Sequence, residues 1–92
     1  MESTFNVMGI KVTVKEVPVV NKYTPCAGEY DPLTNTITLD ESLPRDLKGQ
    51  TLMHELLHAI CHMTGQYELY EDETAIQSLS TALYYLFKNN QF

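Results

Sequence analysis

From residue 10 to residue 20 apolar and polar side chains alternate, with Ile10, Val12 and Val14 set against Lys11, Thr13 and Lys15. Period-two alternation of β-branched residues predicts a strand with one covered face, which Pro18 ends or marks as an edge. A second extended pair is predicted at Gly28 to Tyr30 and Thr36 to Leu39. These segments flank DPLTN, whose Asp, Pro and Asn favour a turn, so the pair reads as a hairpin. The first half of the chain is therefore expected to form a small, antiparallel-leaning sheet of about three strands.

From Leu43 onward the period becomes helical. Pro44 suits a first turn, but Gly49 costs ~1 kcal/mol in a helix interior, so the main helix is expected to begin near Gly49 and to stop at Gly65. A second helix is predicted from Asp72, a suitable N-cap, to Lys88. Its apolar stripe comprises Ile76, Leu79, Leu83, Leu86 and Phe87. The expected fold is α+β: the sheet packs on the first helix and a second, C-terminal helix, in one domain spanning residues 1–92. No repeat, low-complexity tract or linker interrupts it.

The first helix carries TLMHELLHAI, residues 51–60. At about 100° per residue, His58, Thr51, His62 and Glu55 all fall within ~100° of His54, while Leu52, Met53, Leu56, Leu57, Ala59, Ile60 and Met63 occupy the opposite arc. A polar wedge on a helix otherwise built for burial should line a cleft. His54 and His58 stand one turn apart, close enough for both imidazoles to reach one zinc ion at ~2.0–2.1 Å. Glu55 is displaced around the axis, where it can accept a proton from a water on that ion. This is the logic of the HExxH motif.

A catalytic zinc takes three protein ligands and keeps a position for water. The extended pattern HExxHxxGxxH is excluded, because Cys61 and Thr64 occupy the places of its glycine and third histidine. The next helix offers Glu71, Asp72 and Glu73 at its start. Glu73 is the expected third ligand and Glu71 the alternative, with Asp72 retained as the cap. His62 lies ~12 Å along the axis from His54, too far to share the ion, so it is expected to support the site by hydrogen bonding. Tyr67, Tyr70 or His62 could donate to an oxyanion. Tyr67, Tyr70, Tyr84 and Tyr85 otherwise read as amphipathic rings at a core edge.

Charge narrows the partners. Twelve acids against six bases give a formal charge of −6, which leaves no basic stripe for direct nucleic-acid binding. No leader pattern and no membrane-spanning apolar run is present, and Cys26 and Cys61 have neither CxxC spacing nor a secretory context. Reduced thiols in the cytoplasm are expected.

GEYDPLTNTITLD, TLMHELLHAI and the acidic start plus AIQSLSTAL of the last helix together resemble the ImmA/IrrE family of zinc metallopeptidase-like domains, especially the very small members carried by phages and other mobile elements. The likeness covers roughly residues 26 to 87. It implies a minimal zincin with His54 and His58 as zinc ligands, Glu55 as general base and Glu73 as third ligand. Longer members usually carry Glu-Ala-Asn in the last helix, where this chain has ETAIQ, and they have additional recognition domains. By the same likeness the substrate would be a protein or peptide, such as a transcriptional regulator of a mobile element. Two rivals remain open: a catalytically silent, metal-bearing module that docks on such a regulator, and a structural zinc site closed by Cys61 or Glu71.

Overall fold

The alternation that begins at residue 10 is a strand whose Val12 and Val14 are buried and whose Lys11 and Lys15 are exposed. It is one of seven elements in the computed structural model, which describes residues 2–23 and 26–91. In chain order they are β1 (Glu2–Val7), β2 (Ile10–Val17), β3 (Gly28–Asp31), β4 (Thr36–Asp40), α1 (Arg45–Met63), α2 (Tyr67–Glu71) and α3 (Glu73–Asn89). The class is α+β, as expected, but the sheet has four strands where about three were anticipated.

The added strand is β1. Its residues are polar or exposed almost throughout, so no alternation announces it. It pairs with β2 through a two-residue turn in which Met8 and Gly9 both have positive φ, 53° and 81°. That combination matches the twist of flanking strands. The Asn6 side chain steadies the turn by accepting the Gly9 N–H at 2.7 Å. The sheet order is β1-β2-β4-β3. Both hairpins are antiparallel, and they join through a parallel β2–β4 pairing that matches Val14 with Ile37. The DPLTN turn lies between β3 and β4 as anticipated, with Asp31 accepting the Leu33 N–H at 2.9 Å and Asn35 at φ 49°.

One sheet face supplies Val12, Val14, Tyr30, Ile37 and Leu39 to the core, and α1 covers them with Ala59, flanked by Leu52, Leu56 and Met63. The helix starts at Arg45, a turn earlier than Gly49. The glycine is tolerated inside because the Tyr84 ring occupies the space its Cβ would fill. At the other end Gln66 N–H reaches the Cys61 carbonyl at 2.8 Å and Gly65 N–H reaches that of His62 at 3.3 Å. These bonds close the helix in a Schellman motif.

The last helix is the third, not the second, because α2 intervenes. Five residues are too few to display a helical period. Asp72 caps α3 as predicted, accepting the Ala75 N–H at 3.0 Å. The predicted stripe on α3 is only partly buried: Ile76 is enclosed, whereas Leu79, Leu86 and Phe87 are exposed, and the other enclosed position of the helix is Ser80, outside the stripe. The sheet is packed beneath α1, so among the described residues α3 has α1 and α2 as its substantial helical or strand neighbours, and no layer of those residues covers its far side. Among the described residues no helix is long and apolar enough to cross a membrane. Cys26 is exposed, Cys61 is buried, and both are free thiols.

Candidate metal centre

The buried positions of α1 are Thr51, Glu55, His58, Ala59 and Cys61, so the polar wedge faces inward. It can do so because α3 and α2 bring polar groups to meet it. Glu73 is the first residue of α3, and the Asp72 cap fixes where that first turn begins. Its carboxylate reaches both imidazoles: Oε2 lies 3.0 Å from His54 Nε2 and Oε1 lies 2.8 Å from His58 Nε2. The two Nε2 atoms are themselves 3.3 Å apart.

A tetrahedral site with bonds of ~2.0–2.1 Å has ligand–ligand edges of ~3.3–3.4 Å. The histidine pair meets that spacing, and the Glu73 side chain, 68% exposed, is free to adjust. Among the described residues His54, His58 and Glu73 form the one group of three such side chains able to hold an ion, with ligand atoms all within 4.8 Å of one another. Three donors, two imidazoles and a carboxylate, suit zinc with one position left open.

Burial shapes the charges. His58, 7% exposed, has its pKa lowered chiefly by desolvation, against the pull of Glu73, which favours the neutral imidazole a metal requires. Glu55, 8% exposed, is pushed up to about 7, first by desolvation and then by the negative charges of Glu73 and Glu29, with His54 opposing. A carboxyl that titrates near neutral pH is well matched to general-base work. Burial raises the Tyr70 phenol as well, with Glu55, Glu71 and Glu73 adding to the effect, so it remains a proton donor. Its ring stands edge-on to His58, centroids 5.0 Å apart.

These groups line a cleft of about 670 Å³ between β3, α1 and the start of α3. Tyr70, Glu71, Glu73 and Gln77 form one wall, and Gly28, Glu29 and Tyr30 of the edge strand form the other. Glu71 lines the cleft but stands outside the metal-holding group, and Cys61 belongs to neither the cleft lining nor that group. His62 and Tyr67 do not line it. The His62 ring instead sits among Tyr30, Tyr67 and Tyr70, with centroids 6.0–6.4 Å away. Sequence reasoning missed Gln77, whose Oε1 is 2.9 Å from His54 Nδ1. The available signal was its spacing, one turn beyond Glu73 on the same helix face.

The family model described as Peptidase_M78, IrrE N-terminal-like domain, matches residues 5–91. No curated protein and no solved structure matches the chain.

Proposed function

The chain belongs to the family of IrrE N-terminal-like domains, and on that premise we propose that it is a zinc-dependent peptidase acting on a protein substrate. The observation that carries the reading is the convergence of two imidazole nitrogens 3.3 Å apart on one carboxylate, beside a buried glutamate. His54, His58 and Glu73 would hold the ion. When bound, zinc supplies Lewis acidity, lowering the pKa of a water towards ~7 and polarising the scissile carbonyl.

The protein's own groups do the rest. The Glu55 carboxylate takes the proton of the attacking water and passes it to the departing amine nitrogen. The neutral Tyr70 hydroxyl, the one oxyanion candidate that lines the cleft, donates to the charge developing on the carbonyl oxygen. The substrate enters extended and adds a strand along β3, which ends the sheet and borders the cleft. A regulatory protein of a mobile element, met in the cytoplasm of a bacterial cell, is the substrate class this reading favours.

The rival reading is a metal-bearing docking module that cleaves nothing. Burial of Glu55 favours the enzyme, since metal holding alone gives no reason to enclose an extra carboxyl. Glu55→Gln separates the two. The variant should keep its zinc yet lose at least ~100-fold of the cleavage seen by mass spectrometry on an unstructured peptide library. Undiminished cleavage, or an undiminished biological effect of the variant, would overturn the peptidase reading.

A further inference from the structure

Glu73, Gln77 and Thr81 follow one another at four-residue intervals on α3 and so share one helix face. Gln77 Nε2 donates to Thr81 Oγ1 at 3.2 Å, which turns the amide oxygen towards α1. There Oε1 lies 2.9 Å from His54 Nδ1. An amide oxygen only accepts, so Gln77 draws a His54 proton to Nδ1, in competition with the Glu73 carboxylate, which also only accepts, at Nε2; with the ring's one proton on Nδ1, the lone pair on Nε2 is left for an ion. That Nε2 atom is the one 3.3 Å from His58 Nε2 and 3.0 Å from the Glu73 carboxylate.

We propose that Gln77, itself oriented by Thr81, is the positioning residue that selects the ligating tautomer and ring angle of His54. The inference rests on the zinc reading above and extends it from the ligands to the group that aims one of them. The two histidines are held differently. His58 is enclosed by the fold, its ring edge-on to Tyr70 and its Nδ1 buried without a partner of full hydrogen-bond geometry. His54, more open with 15% of its side chain exposed, depends on an explicit acceptor. Gln77 is exposed and fills no core space, so replacing it removes the hydrogen bond with little effect on packing. Losing such an outer partner of a metal-bound histidine costs about 10–100-fold in metal affinity.

Two measurements test the role. In the metal-free protein, imidazole 1H–15N correlation spectra should show a proton on His54 Nδ1 in the wild type, and in Gln77→Leu that proton should move to Nε2, where the Glu73 carboxylate still accepts. Zinc affinity, measured by chelator competition, should fall about 10–100-fold in Gln77→Leu, recover to within about threefold of wild type in Gln77→Glu, and fall less in Thr81→Val than in Gln77→Leu. Backbone amide spectra establish that each variant is folded. A Gln77→Leu protein with wild-type zinc affinity and an unchanged His54 tautomer overturns the proposal. If the wild type binds no zinc, the metal reading itself falls, and the tautomer measurement alone decides whether Gln77 sets His54.

Discussion

Gly49 of α1 lies against the ring of Tyr84 of α3, with no room between them for a Cβ. The Tyr84 hydroxyl is anchored in turn, donating to Asp46 Oδ1 at 2.8 Å. Helix propensity alone predicts that Gly49→Ala stabilises by up to ~1 kcal/mol. Overpacking against the anchored ring costs ~1–3 kcal/mol, so the expected outcome is a net loss of about 1 kcal/mol in urea unfolding. The sign should reverse in a Tyr84→Ala background, where only the propensity gain survives.

That contact also explains why α1 starts a turn earlier than its local sequence suggests. Locally the glycine reads as a helix defect, because its partner lies 35 residues downstream, outside any local window. What one element encodes by itself was legible: the alternation of β2, the DPLTN turn, the Asp72 cap, the Gly65 stop and the polar wedge of α1. The rest depends on neighbours. β1 carries no usable pattern and acquires its place from a turn with positive φ at Met8. Leu79 and Leu86 looked internal because a stripe does not say whether anything covers it. At the site, the histidine spacing pointed to an ion, but the choice between Glu71 and Glu73 and the presence of Gln77 depend on how α3 meets α1.

Two positions of the α3 stripe make a direct comparison. Ile76 is wholly buried and Leu79 is 46% exposed, although both fall on one predicted stripe. Ile76→Ala should cost about 2–4 kcal/mol and Leu79→Ala under about 1 kcal/mol. Chemical denaturation of the two variants side by side checks this; equal costs would mean that α3 is rotated about its axis.

Acid should loosen the α1–α3 contact. The Lys88 ammonium beside Asp46, and then the Tyr84 hydroxyl, hold the Asp46 carboxyl below its ordinary range. A lowered carboxylate contributes stability that is present above its unfolded-state pKa and is lost as pH falls through its folded-state value. Thermal melts between pH 5 and pH 2 should therefore decline less steeply in Asp46→Asn than in wild type. The effect is small, since these side chains are solvated and screened.

Glu55 acts in the opposite sense. Its pKa is raised to about 7, so in the metal-free protein its contribution is complete below the unfolded-state value and is lost as pH rises through 7. Glu55→Gln should remove that penalty, making the metal-free protein more stable than wild type at pH 8 by on the order of 2–3 kcal/mol, with little difference at pH 4. Urea titrations at the two pH values give the comparison. A variant no more stable at pH 8 would mean that the carboxyl is not desolvated.

The central claim is that His54, His58 and Glu73 converge on one ion, and zinc stoichiometry tests it most directly. Purified protein dialysed against zinc and then against buffer should retain one equivalent per chain, with X-ray absorption showing two imidazoles and an oxygen ligand. His54→Ala with His58→Ala should retain none. A wild-type chain that keeps no zinc, or a double variant that keeps its full equivalent, would contradict the account.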